Sequence, residues 1–295
     1  MKRLFLMRPA DSVTVLFLAF LLAVSLIFSR ALPHAYGLIL TYSLLLIVQI
    51  MLVRSPAPAG GNGVTGFVRN LIFPVVSVLI IFNSLEMLVH DLHPRDIDQA
   101  LIKLDYLIFN GYPTIILEAL QRPLLTDVLQ VAYSTYYFLP ISLGLLLMLR
   151  KRDGEFERTL FLILLCFYLS YIGYMLFPAL GPRYTMDHLQ GSELRGAFAA
   201  EPIQRVLNGL EGIKRDAFPS GHTAVSLVVS FLAFKYHRIF FYLTLPVIAL
   251  LIFSTVYCRY HYVVDVLGGF ILAALTCMMG ERYYDYWEVR NDISR

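Results

Sequence analysis

Charge is scarce in this sequence: Asp, Glu, Lys and Arg make up 15% of its 295 residues, while hydrophobic residues make up 58%. Soluble globular chains carry about 25% charged and 45–50% apolar residues, so this balance excludes an ordinary water-soluble fold. Only three cysteines are present, Cys166, Cys258 and Cys277. They lie in or beside apolar runs, which excludes a disulfide framework and makes them small hydrophobes. The net charge of +3 is too small to imply a nucleic-acid partner. No internal repeat and no low-complexity segment is evident.

What the chain does have is long apolar runs. Segments 13–28, 36–53, 71–89, 128–149, 159–177, 223–234, 239–257 and 263–279 read as membrane spans, since a crossing takes roughly 20 mainly apolar residues. The expected fold class is all-α, a polytopic membrane bundle of about eight transmembrane helices. The run at 223–234 is short unless Pro219 to His222 belong to it, which brings that histidine to the membrane edge. Lys2, Arg3 and Arg8 precede the first run as in a signal peptide, but no small-residue cleavage site follows Phe28, so the helix is read as retained.

Short basic clusters mark the cytoplasmic side. The N-terminus, the 54–69 linker, Arg150-Lys151-Arg152, Lys235 with Arg238, and the 282–295 tail all fall on one side of eight crossings. The opposite side receives the segment after Val89, the 178–217 loop and the 258–262 turn. The linker 55–66 is rich in Gly, Pro and Ala and is expected to be flexible. Segment 91–127 spaces its charges among apolar residues, as an interfacial amphipathic helix does. The tyrosines of 133–137 and of the tail 283–287 read as interface anchors. The expected organisation is an N-terminal helix pair with linker (1–70), a six-helix core (71–280) and a cytoplasmic tail (281–295).

Three strings carry chemistry. In Phe218-Pro219-Ser220-Gly221-His222, proline suits a first helical turn. Ser220 and Gly221 offer backbone N–H groups to an anion at a helix N-terminus, and His222 is within reach of a bound group. In Arg259-Tyr-His261-Tyr-Val-Val-Asp265, His261 and Asp265 are four apart, so on a helix the carboxylate holds one ring nitrogen and aims the other. Gly268 and Gly269 permit close helix approach, and Arg259 is a candidate phosphate cation. In Phe177-Pro178-Ala-Leu-Gly181-Pro182-Arg183, a fixed arginine at a span end can fork onto two phosphate oxygens. Lys214 and Arg215 are further candidates for phosphate contact. His90-Asp91-Leu92-His93 has no supporting cluster, so no metal is expected. Taken singly, each string also reads as a helix cap or boundary charge; their convergence on one side of the membrane favours a site.

These strings resemble the membrane branch of the type 2 phosphatidic acid phosphatase superfamily over roughly residues 71–279. Pro219-Ser220-Gly221-His222 matches its second motif, and His261 with Asp265 the end of its third. The resemblance implies that His261 is a nucleophile forming a phosphohistidine, Asp265 its orienter and His222 the general acid. Arg183, Ser220 and Gly221 then bind the phosphate, without metal or cofactor. Three departures stand out: Leu176 replaces the first-motif lysine, Tyr184 follows the arginine where the family has proline, and Ser254-Thr255 replaces Ser-Arg. The Gly-Pro-Arg and Tyr-His-Tyr-x-x-Asp-Val-Leu-x-Gly style is similar to the inositol phosphorylceramide synthase-like branch, which transfers phosphorylated headgroups. The implied activity is lipid phosphate or diphosphate cleavage, with headgroup transfer as the alternative. A transporter with a His/Asp proton relay is the rival of another class. The expected location is a bacterial inner membrane, with the site on the non-cytoplasmic face. Neither substrate nor oligomeric state is readable.

Overall fold

The structure, a computed structural model, describes residues 7–54, 64–93, 95–210 and 214–293. Lys2, Arg3 and most of the expected linker (55–63) lie outside the described residues. The helices are α1 (Pro9–Ile27), α2 (Ala35–Arg54), α3 (Val64–Leu92), α4 (Asp98–Phe109), α5 (Pro113–Leu120), α6 (Pro123–Tyr137), α7 (Leu139–Leu149), α8 (Asp153–Leu176), α9 (Ala200–Leu210), α10 (Gly221–Tyr236), α11 (Arg238–Tyr257) and α12 (Val263–Ile293). No strand occurs among the described residues.

Prolines set several of these starts. Pro9, Pro113, Pro123 and Pro140 sit in the first turns of α1, α5, α6 and α7, where their missing N–H costs nothing. Asn110 ends α4 in the left-handed conformation at φ 50°, a position that asparagine tolerates. Within α3, residues Val68–Ile72 form a π-helical turn.

Among the described residues, six helices are long and apolar enough to cross a membrane, or up to eight if two bent pairs each count as one span. The expected span at 128–149 is the pair α6–α7, bent by 50°; the expected interfacial segment contains the pair α4–α5, bent by 64°. The expected span at 223–234 corresponds to α10, whose 16 residues are too few for it to count among those six helices or two pairs.

Helix α8 is the hub. It packs against α1, α3, α7, α10 and α12, and its buried residues, among them Phe161, Leu162, Ile163 and Leu164, point in every direction, as a fully enclosed helix requires. One hydrophobic core joins Leu18 and Tyr42 of the first helix pair to Leu162, Val228 and Leu251. Phe17 stacks on Tyr168 at 4.5 Å.

The two ends of the bundle differ in kind. At one end, Arg8 and Arg69 converge on Asp11, Lys235 and Arg158 meet Glu281, and Trp287 donates to the Met7 carbonyl. At the other, backbone hydrogen bonds stitch distant loops together: Ile97 to Pro178, Ala217 to Ala179, Arg183 to Arg259 and Ser220 to Asp265, at 2.8–3.0 Å. All three chemical strings therefore lie at one end, opposite the basic clusters.

Candidate functional site

Ser220 is the N-cap of α10, and its side chain accepts from the Thr223 N–H at 3.3 Å. Pro219 thus precedes the cap, after a cis Phe218–Pro219 bond, instead of occupying the first helical turn. The expected cradle of Ser220 and Gly221 amides is not open. The Ser220 N–H donates to the Asp265 carbonyl, and the Gly221 N–H faces the Tyr174 hydroxyl. A Cβ at Gly221 would stand 2.2 Å from that hydroxyl oxygen, so glycine here permits Tyr174 to approach.

His222 follows directly, only 6% exposed. Its ring lies between Tyr133, stacked at 4.4 Å, and Tyr136 at 4.1 Å. The expectation that these tyrosines anchor at the membrane interface is corrected: Tyr133 and Tyr136 are buried and clamp the histidine. The His222 Nε2 atom is buried with no hydrogen-bond partner, an arrangement that costs free energy unless something fills it.

His261 lies in the turn before α12, not on the helix. Its amide donates to the Thr255 carbonyl at 2.9 Å, at the place where the family motif has its Ser-Arg. The His261 ring centroid is 5.6 Å from that of His222, at 60° between planes. Its Nδ1 is 2.8 Å from the Ala217 carbonyl and 3.6 Å from Asp265 Oδ2. A carbonyl only accepts, so Nδ1 carries the hydrogen and Nε2 the lone pair. The Ala217 carbonyl is thus the nearer orienter. Asp265 Oδ2 instead accepts the Tyr262 N–H at 2.8 Å, the reach of an N3 acid back to its N-cap.

Arg183 enters from the short turn Pro182–Thr185. The preceding Gly181 has φ 90°, and a Cβ there would lie 2.4 Å from the Tyr260 carbonyl oxygen, so only glycine lets the turn close onto the His261 segment. The guanidinium stacks over Tyr184 at 4.7 Å and Tyr260 at 4.9 Å and donates to the Tyr184 hydroxyl at 2.6 Å. Tyr184, where the family has proline, is therefore a support for the arginine. Burial lowers the Arg183 pKa, but Tyr184 and Tyr260 outweigh it and leave it raised. Tyr260 stacks on Tyr133 at 4.2 Å, so an aromatic column leads from Arg183 to His222.

Two of the other expected cations are engaged elsewhere. The Arg259 guanidinium binds Glu118, Gln190 and the Ser192 carbonyl at 2.7–2.9 Å, and burial lowers its pKa. Arg215 pairs with Asp96 and Glu86. Lys214 reaches the Tyr184 ring, with Nζ 5.9 Å from its centroid.

Sequence reasoning missed three aspartates that assemble the site. Asp98 accepts from the Leu180 N–H, the Gly181 N–H and the Tyr262 hydroxyl at 2.8–2.9 Å, tying the Arg183 turn to the His261 turn. Asp105 accepts from Val263 and Val264 and caps α12. Asp127 accepts four successive N–H groups, Ala197 to Ala200, and caps α9. The available signal was carboxylates in otherwise apolar helices, which are rarely without a partner or a purpose.

A family model described as PAP2 superfamily matches residues 99–279, more than half of the chain. A PA-phosphatase related-family protein of Dictyostelium discoideum is 28% identical over 121 residues, which is 40% of this chain and 22% of that protein. The match therefore spans about a fifth of that relative's length. No solved structure matches. The matched region runs from α4 into α12 and takes in the segments that carry Arg183, His222, His261 and Asp265, and the chain belongs to the PAP2 superfamily.

Proposed function

We propose that the chain is a membrane-embedded lipid phosphatase or phosphotransferase working through a phosphohistidine. The observation that carries this reading is the pair of facing, buried imidazoles, one with its Nδ1 hydrogen committed to Ala217 and the other with an unpartnered Nε2. The His261 Nε2 lone pair attacks phosphorus; the P–N bond forms as the bond to the leaving oxygen breaks, and His222, once protonated beside the bound phosphate anion, gives its proton to that oxygen. Neutral His222 then takes a proton from the incoming hydroxyl as its oxygen attacks phosphorus, and the P–N bond to His261 breaks. Arg183 neutralises the phosphate. Ala217 and Asp265 orient His261, and Ser220 and Gly221 shape the turn that holds His222.

The chemistry is assigned to residues 71–280, in a bilayer with the basic helix ends cytoplasmic and the pocket on the opposite face, as in a bacterial inner membrane. The relative's phosphatidic acid phosphatase description supports an amphiphilic phosphate substrate. Water as acceptor gives a phosphatase; a lipid or polyol hydroxyl gives the transferase that the Gly181-Pro182-Arg183 style favours.

The test is phosphate release from mixed lipid phosphates by purified protein. His261→Ala is expected to abolish turnover while the lost Ala217 bond costs only about 1–3 kcal/mol of stability, and equal activity refutes the nucleophile. Added inositol or diacylglycerol yields a new phospholipid only if the enzyme transfers.

A further inference from the structure

Around the site, three arginines come with carboxylates. Arg259 meets Glu118, Arg215 meets Glu86 and Asp96, and Arg195 meets Glu193, each at 2.7–2.9 Å. Arg183 and Lys214 differ: among the described residues neither has a carboxylate at ion-pair distance, and both face one tyrosine instead. The Arg183 guanidinium carbon lies 4.7 Å and the Lys214 Nζ 5.9 Å from the centre of the Tyr184 ring. The two charges are therefore no more than about 11 Å apart, the sum of these distances, close to the Debye length of about 8–10 Å within which like charges still repel.

Backbone contacts, not the ammonium, hold Lys214 in place. Its N–H donates to Glu86 at 2.9 Å, and the next residue, Arg215, pairs with the same carboxylate. Further along this strap the Ala217 N–H donates to the Ala179 carbonyl, while the Ala217 carbonyl accepts from His261 Nδ1 at 2.8 Å. One short strap thus carries Lys214 and steadies His261. The Tyr184 hydroxyl, which accepts from Arg183 at 2.6 Å, fixes the second cation beside the first. Lys214 itself is exposed, where a ligand can reach its charge.

Charge counting decides what fits. A phosphate attached through one bridging oxygen carries about −1.5 to −2 at pH 7, whereas a phosphodiester carries a single negative charge. With phosphorus at His261 Nε2 and the leaving oxygen in line, three further oxygens surround it. In a terminal phosphate all three are unesterified; in a diester one of them carries the headgroup and no charge. Resting on the phosphatase reading of the same site, we infer that Lys214 is a second phosphate-binding cation beside Arg183 and selects a terminal phosphate, of a lipid monoester or diphosphate, over a phosphodiester. The planar fork of Arg183 takes two oxygens. Lys214, a point charge on a flexible stem, takes the third.

The experiment measures turnover of dioleoyl phosphatidic acid, farnesyl diphosphate and phosphatidylinositol by the full chain in detergent. Phosphate release reports the first two and diacylglycerol release the third. At least one terminal phosphate is expected to turn over faster than phosphatidylinositol. Lys214→Met keeps a chain of similar length over Tyr184 and the backbone bond to Glu86, but removes the charge. It is expected to raise KM for the terminal phosphate about tenfold, the loss of one charge-assisted contact of about 1.4 kcal/mol. The loss falls on KM rather than kcat, and Lys214→Arg restores it. Added salt raises the wild-type KM more than that of Lys214→Met. A KM unmoved by Lys214→Met, or a loss confined to kcat and the thermal midpoint, overturns the inference and leaves the phosphatase reading standing. Faster wild-type turnover of phosphatidylinositol than of either terminal phosphate overturns the selectivity. Wild-type protein inactive on all three substrates refutes the phosphatase reading itself.

Discussion

Asp98→Ala probes how the site is assembled. The Asp98 carboxylate is buried and takes three donors: Leu180 N–H at 2.9 Å, Gly181 N–H at 2.9 Å and the Tyr262 hydroxyl at 2.8 Å. Alanine leaves the two amides without an acceptor, while the Tyr262 hydroxyl keeps Thr185 Oγ1 at 2.6 Å; each unsatisfied donor costs about 1–3 kcal/mol. Partial relaxation brings the expected sum to ~2–5 kcal/mol. In Asp98→Asn the retained oxygen can keep the Gly181 and Tyr262 donors, while the new NH2 faces the Leu180 N–H. One bond of three is lost, and the cost falls to about 1–3 kcal/mol. The same contacts hold the Arg183 turn against the His261 turn, and a displacement of about 1 Å at a reacting centre lowers turnover by ~100-fold. Thermal unfolding and steady-state phosphate release on the two variants read both effects. A positioning role predicts graded losses, alanine worse than asparagine, with KM raised as Arg183 loses its place. Wild-type stability and activity in Asp98→Ala would refute the reasoning, and so would identical losses in the two variants.

Removing Arg259 tests its reassignment from phosphate cation to buried ion-pair partner. Arg259→Ala is expected to destabilise by about 3 kcal/mol and Arg259→Ala with Glu118→Ala by less, with KM for lipid phosphate unchanged in the double variant; a raised KM there restores the phosphate role. Gly269→Ala puts a Cβ 2.7 Å from the Ser220 carbonyl oxygen and 2.8 Å from the Thr223 Cβ. This drives α12 off the His222 turn, and a loss of about 1–3 kcal/mol with reduced turnover is expected; unaltered melting and turnover contradict the close approach. Burial first, then the Asp98 charge, raises the Tyr262 pKa. Because the folded value lies above the unfolded value of about 10, its stabilisation is complete below that pH and declines above it. Tyr262→Phe should therefore show a shallower fall in thermal midpoint between about pH 9 and 11 than wild type, and parallel profiles disprove the linkage.

Much of the architecture was legible in local pattern. Runs such as 239–257 and 263–279 correspond to α11 and the first half of α12 because hydropathy over 20 residues is a property of the segment alone. That the three strings share one end of the bundle was also readable, since alternation of crossings follows from counting spans and basic clusters. His222 and His261 could be picked out because ionisable residues at helix ends in an apolar chain are costly, and they meet with centroids 5.6 Å apart.

What local pattern left open depends on which distant segments touch. Tyr133 and Tyr136 read as headgroup anchors, yet they lie against His222, because α6 bends and packs beside α10 and α11. Arg259 and Arg183 look alike as boundary arginines, and only the positions of Glu118 and Gln190 bind the first away from the imidazoles. Asp98, Asp105 and Asp127 looked like interfacial charges until the backbone amides 80 or more residues onward were seen to end on the first. The sequence alone therefore determined the apolar helices, their alternation and the ionisable side chains at their ends, because each follows from a short window of residues. The tertiary structure alone decided which carbonyl holds the His261 ring, which cations are engaged and which tyrosines clamp His222, because each is a contact between segments remote in the chain.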